Sequence, residues 1–299
     1  MSWQNNLHSV SPYIAGEQPE LTDMIKLNTN ENPYQPSLQV QKVIEDFKSE
    51  NLRLYPSTDA KFLRKALAEY HHLNTDQVFI GNGSDEVLSL SFLTFFNGQR
   101  AILMPDISYS FYPIYCELYR IPYQKIPLAD DFSLSVNSYF QENGGIVIAN
   151  PNAPTGMAIS LQEIEEILQN NQDSIVLIDE AYIDFGGESC LPLLEKFDNL
   201  VVVQTFSKSR SLAGIRLGIA FGSAEAIAHL YDVKNSFNSY PIDSLAQKIG
   251  EASLNDETYF QKSVSKIITT RENFKNELIK LGFQVTDSKT NFFLSIIQK

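Results

Sequence analysis

Lys208 follows the valine-rich run Leu200 to Val203 and stands among the hydroxyls of Thr205, Ser207, Ser209 and Ser211, with Arg216 beyond a turn of small residues. So short a β-branched run reads as a strand buried on both faces, which puts the lysine at a strand's carboxyl end. An amine withdrawn from water has its charged form destabilised. Its pKa falls, and it can condense with an aldehyde to a Schiff base. Taken alone, the same residues also describe a solvated lysine, so the groups that share its edge must decide.

Four other segments carry polar groups in the same position, after a short apolar run: Gly81 to Glu86, Pro105 to Tyr109, Asn150 to Gly156 and Asp179 to Tyr182. Each has a plain structural reading. Gly81-Asn82-Gly83 is an incomplete dinucleotide fingerprint, since Glu86 replaces its third glycine; what remains is a turn opening a helix at Ser84-Asp85, whose free N–H groups favour one phosphate. Asp85 and Asp179 could be helix caps, Tyr109 and Tyr182 core, and the Asn150 to Gly156 run a rigid turn. One ligand uses them all. A flat aldehyde with a phosphate, a ring nitrogen and a phenolic oxygen describes pyridoxal 5′-phosphate, which needs an amine, a carboxylate, an aromatic face, Asn and Tyr donors and an anion cradle.

The elements that position these groups alternate. Apolar runs at Val78 to Ile80, Ala101 to Met104, Ile146 to Ala149, Ile175 to Ile178, Leu200 to Val203 and Leu217 to Phe221 are separated by helix-patterned stretches, which predicts an α/β fold with a largely parallel sheet. In such a sheet the binding crevice lies beyond the carboxyl ends of the strands. A helix is expected from about Ser57 or Thr58, carrying Leu63, Ala66, Leu67 and Tyr70. The stripes Leu88, Phe92, Phe95, Phe96 and Leu161, Ile164, Ile167, Leu168 read as core faces. Residues 1–44 read as an ordered loop-like arm, 223–281 as helical with Ile267, Phe274, Leu278 and Leu281 in register, and a last strand falls near 291–297.

Composition limits the partners. The 299 residues contain 23 basic and 36 acidic side chains, a net charge of -13, which disfavours nucleic acid and anionic lipid. Hydrophobic content of 43% and charged content of 20% are those of an ordinary globular chain. No apolar run approaches the ~20 residues that span a bilayer, and Cys116 and Cys190 show no metal-like spacing. These features predict a cytoplasmic protein with buried reduced thiols, without metal, membrane or nucleic-acid partners.

The chain as a whole resembles the fold-type I aminotransferases, and among them the histidinol-phosphate family. The resemblance runs through Ser11-Pro12-Tyr13, Leu27 to Pro33, Tyr55-Pro56, Gly83 to Glu86, Asn150 to Gly156, Asp179 to Tyr182, Thr205 to Lys208 and Thr290-Asn291-Phe292. It implies a large domain over 45–255 with a mostly parallel seven-stranded sheet between helices. It also implies an arm and small-domain part over 1–44, and an incomplete small α+β domain over 256–299. By the same resemblance Lys208 carries the cofactor, Asp179 pairs with its ring nitrogen, Asn152 and Tyr182 meet its phenolic oxygen, and Tyr109 stacks on it. Ser84, Asp85, Ser207 and Arg216 hold the phosphate, joined by Tyr55 of a second subunit, and Tyr13 reaches the substrate across a homodimer interface. The implied reaction moves an amino group between glutamate and imidazole acetol phosphate. Aromatic amino acid transamination, threonine-phosphate decarboxylation, or cofactor binding without turnover are the rival readings. Two departures stand out: Ala153 where the family commonly has asparagine, and a chain that stops soon after Asn291, before the family's usual substrate-binding arginine. The second predicts cofactor binding with poor turnover.

Overall fold

The computed structural model describes residues 2–14, 16–17 and 24–297. Val78–Asn82 (β1), Ile102–Pro105 (β2), Tyr123–Ile126 (β3), Ile146–Ala149 (β4), Val176–Asp179 (β5), Leu200–Thr205 (β6) and Leu217–Gly222 (β7) form one sheet in the order β1-β7-β6-β5-β4-β2-β3. β7 is antiparallel to β1 and β6, and every other pairing in the sheet is parallel. The helices are Leu38–Asp46 (α1), Lys61–His71 (α2), Gly83–Phe95 (α3), Phe111–Tyr119 (α4), Leu161–Gln169 (α5), Ala224–Phe237 (α6), Ser244–Leu254 (α7) and Glu257–Lys280 (α8).

Alternate side chains of the central strands enter two separate cores. Ile146, Ile148, Val176, Ile178, Leu200 and Val202 face one, closed by Leu63 and Leu67 of α2, Ile164, Ile167 and Leu168 of α5 and Ile249 of α7. Val147, Leu177, Val201 and Val203 face the other, closed by Val87 and Phe92 of α3, Tyr112 of α4 and Ile227 and Leu230 of α6. Both faces of the sheet are therefore dry, which is why these strands read as unbroken apolar runs. Burying each such side chain contributes about 1.5–3 kcal/mol, so the strand ends are held by the stiffest part of the molecule. Ser160 caps α5 with a reciprocal Glu163 bond, and Asp243 caps α7.

Several local expectations change. The arm is not loop throughout: Ser37 caps α1, whose Val40 is buried in the first core. The next helix starts at Lys61 and not near Ser57, because Ala60 adopts a left-handed conformation (φ 48°, ψ 44°) that interrupts it. The helical stretch from Ser223 divides into three, broken around Pro241 and at Asn255-Asp256. Ile267 is buried, but Phe274 and Leu281 are exposed, so that apolar register does not pack along its whole length. Strand β3 had no apolar run to announce it, since its first three residues are exposed at the sheet edge. A second, two-stranded antiparallel sheet, Phe283–Val285 (β8) with Ser295–Ile297 (β9), follows α8. Buried Arg271 of α8 ties it down, donating to the carbonyls of Phe185 and Thr290 at 2.7 and 2.8 Å. Among the described residues no helix is long and apolar enough to cross a membrane.

Candidate active site

The carboxyl ends of β4, β5 and β6 open onto a cavity of about 540 Å³, whose lining includes Asp179, Tyr182, Ser207, Lys208, Ser84, Asp85, Tyr109 and Arg216. Residues remote in sequence thus share one wall, because parallel strands deliver their ends to the same edge.

Lys208 stands just past the end of β6. Its Nζ donates to the carbonyl of Thr29 at 2.8 Å and lies 5.6 Å from the centre of the Tyr182 ring. Burial lowers its pKa, with the positive charges of Arg216 and Lys26 adding to the shift and the negative charges of Asp85 and Glu31 opposing it. The backbone that carries the lysine is fastened by the arm: Asn32 Nδ2 donates to the carbonyls of Lys208 and Ser209, each at 3.0 Å. Beside it the hydroxyls of Thr205 and Ser207 are 3.0 Å apart.

Asp179 closes β5 and is buried. Tyr112 Oη donates to its Oδ2 at 2.8 Å, and the backbone N–H of Ala181 to its Oδ1 at 3.1 Å. Burial pushes its carboxyl from 3.8 up to about 6; these two donors oppose the rise and the charge of Asp85 adds to it.

The anion end is built on α3. Gly83 has φ +79°, and a Cβ there would overlap the Arg216 guanidinium; a Cβ on Gly218 would overlap the backbone of Gly83 and Ser84. The two glycines let the helix terminus, β7 and the arginine meet. The Asp85 carboxylate bridges that arginine (Nη2 to Oδ2, 3.1 Å) and Tyr109 (Oη to Oδ1, 2.9 Å). This changes the part expected of Asp85: its side chain is occupied and negative, leaving its backbone N–H in the helix's first turn as the group suited to an anion. Tyr109 forms part of an aromatic wall with Phe111, ring centres 5.5 Å apart.

Two expected residues are placed differently. Asn152 does not line the cavity, although Pro151 and Ala153 do; its amide donates to the carbonyl of Ile107 and to Thr155 Oγ1, and its oxygen accepts from Ser108. Tyr13, expected to serve a partner's site, lines its own chain's cavity with its ring 4.4 Å from that of Phe111. Tyr55, expected in a partner's phosphate site, is 82% exposed and outside its own chain's cavity, against Tyr240. Tyr182 lines the cavity: Asn30 Nδ2 donates to its hydroxyl at 3.2 Å, and burial pushes its phenol up to about 12. Sequence reasoning missed Tyr112, Asn30 and Asn32 as parts of the site. Arg210 is directed elsewhere, packed 4.1 Å over the Phe260 ring and bonded to the carbonyl of Ser253.

The residues fit pyridoxal phosphate on their own chemistry. Among the described residues neither Lys208 nor Asp179 belongs to an ion pair, so the site holds a desolvated amine and a desolvated carboxylate, with an arginine at a helix amino terminus. An aldehyde, a basic ring nitrogen and a phosphate answer those three.

Comparison with known proteins places this geometry in a family. The model for aminotransferase class I and II matches residues 22–297. The chain is 99% identical over 292 residues, 98% of its length and 82% of the relative's, to the histidinol-phosphate aminotransferase of Lactococcus lactis subsp. cremoris (strain SK11). Among solved structures it is similar to the histidinol-phosphate aminotransferase of Clostridium acetobutylicum, with TM-score 0.82 and 26% identity over 91% of this chain and 82% of that one. It also shares the fold of the Sinorhizobium meliloti histidinol-phosphate aminotransferase solved in complex with pyridoxal-5′-phosphate, with TM-score 0.78 and 20% identity over 88% of this chain and 72% of that one. The chain belongs to the class I and II aminotransferases, in their histidinol-phosphate branch.

Proposed function

We propose that this chain transfers an amino group from glutamate to imidazole acetol phosphate, yielding 2-oxoglutarate and histidinol phosphate, with pyridoxal 5′-phosphate as its cofactor. One observation carries the reading: a desolvated amine at Lys208 and a desolvated carboxylate at Asp179 open on the same cavity as a helix terminus with an arginine.

When bound, the cofactor supplies an electron sink for the pair left behind as the substrate's Cα proton departs. The protein's part is to place groups around it. Lys208 Nζ, its positive charge disfavoured by burial, is suited to take that proton and return it. Asp179 would offer a carboxylate oxygen to the ring N–H and favour its charged form. The first N–H groups of α3, with Ser84, Ser207 and Arg216, would hold the phosphate, and the ring face of Tyr109 would orient the cofactor's ring. Tyr182 keeps its proton and can donate it to the phenolic oxygen. Tyr13 and Phe111 give the mouth an aromatic surface suited to an imidazole. The reading includes a homodimer, with Tyr55 of the partner subunit completing each phosphate site, and action in the cytoplasm, supported by the two buried free cysteines.

Activity on histidinol phosphate with 2-oxoglutarate, measured beside phenylalanine and threonine phosphate, tests the choice of substrate. Histidinol phosphate should give the highest kcat/KM. Faster turnover of phenylalanine, or release of carbon dioxide from threonine phosphate, would overturn it.

A further inference from the structure

Tyr112 is fully buried on α4, its ring stacked on Phe92 with centres 6.2 Å apart and set edge-on to Tyr109 at 5.6 Å. Packed against both rings, it directs its hydroxyl at Asp179 Oδ2, 2.8 Å away. The N–H of Ala181 takes the other oxygen, and among the described residues no other donor reaches this carboxylate. Two neutral donors therefore hold a buried anion that lines the cavity.

We propose that Tyr112 is a positioning residue for the amino-transfer reaction: its hydroxyl fixes the orientation of Asp179 and favours the charged carboxylate that a protonated ring nitrogen needs. The inference rests on the proposed reading in which Asp179 meets the cofactor's ring. A protonated Asp179 cannot balance a protonated ring nitrogen, because two acids then face each other without a countercharge. The surroundings press it toward protonation. Burial is the largest influence, and Asp85 on α3 adds a like charge. Tyr109 just before α4, Tyr115 on α4 and Tyr182 after β5 lie near it as neutral phenols, each pushed up by burial. Lys208 and Arg216 share the cavity, and neither forms an ion pair with it. The Tyr112 hydroxyl is the largest influence in the other direction. A hydrogen bond to a charged group corresponds to about one to two pH units of such stabilisation.

Isotope-edited NMR of the aspartate carboxyl carbons in the cofactor-free chain, assigned with Asp179→Asn, reads the titration of Asp179 directly. Tyr112→Phe keeps the buried ring and should raise the midpoint by about one to two pH units. Difluorotyrosine at the same position, a stronger donor, should lower it. An unmoved midpoint in both overturns the proposal. Equilibrium binding of pyridoxal phosphate and of its deaza analogue, which has a C–H in place of the ring nitrogen, then tests the link to the ligand. Tyr112→Phe should weaken the first about two- to tenfold near neutral pH and leave the second unchanged. Equal losses for both ligands would mean that Tyr112 only packs, and would also overturn it. If the unaltered chain binds the two ligands alike, the ring-nitrogen reading of Asp179 falls and the proposal with it, while the NMR midpoint still reports whether Tyr112 controls that carboxylate.

Discussion

Burial withdraws Asp179 from water with only two neutral donors to hold it, and its folded pKa of about 6 lies above the ordinary 3.8. A carboxyl raised on folding stabilises the fold most below the unfolded pKa, and that contribution is lost as pH rises through the folded one. In the cofactor-free chain the ionised Asp179 is thus a liability at neutral pH, on the order of 1–3 kcal/mol. Asp179→Asn should therefore raise the melting temperature of the cofactor-free chain near neutral pH, and give no gain in acid below the unfolded carboxyl pKa. The same variant should lose about a hundredfold or more in amino transfer, because an amide cannot neutralise the ring's charge. A melting difference independent of pH, or normal turnover, would remove Asp179 from its assigned role.

At the scale of elements, the anion end depends on close approach. A methyl group at Gly218 on β7 meets the backbone where α3 begins, and backbone has little room to yield. Gly218→Ala should cost about 1–3 kcal/mol in thermal or denaturant unfolding and weaken inorganic phosphate and cofactor binding together. Asn32→Ala tests the strap over Lys208: losing both contacts to the carbonyls of Lys208 and Ser209 should cost about 1–3 kcal/mol and speed proteolysis of the arm. Unchanged stability in either variant would contradict these packing assignments. How much of this was legible in the sequence follows from the same physics. The strand ends were readable, since buried parallel strands run apolar until their last one or two residues and the polar groups there and just beyond stand out. Tyr112 was not, because a tyrosine on a helix stripe looks like core until its hydroxyl's partner is known. Asn30 and Asn32 act on Tyr182 and on the Lys208 backbone across long sequence separations, which no local pattern encodes. The amide direction of Asn152 and the left-handed turn at Ala60 are likewise decided by tertiary packing.

For the whole molecule, exposed Tyr55 lies against Tyr240, and Leu52, Leu54 and Phe237 are exposed as well. Residues of this kind suit a contact between copies of the chain. Mixing Lys208→Ala with Tyr55→Ala protomers, each inactive alone, should restore part of the activity in hybrids, as a homodimer with shared sites requires. No recovery despite proven subunit exchange would contradict sharing. The claim on which everything else depends is that Lys208 carries the cofactor. Borohydride reduction of the protein after loading with pyridoxal phosphate, followed by peptide mapping, tests it most directly. The account predicts one pyridoxyl group, on Lys208; an adduct on another lysine, or none after loading, would contradict it.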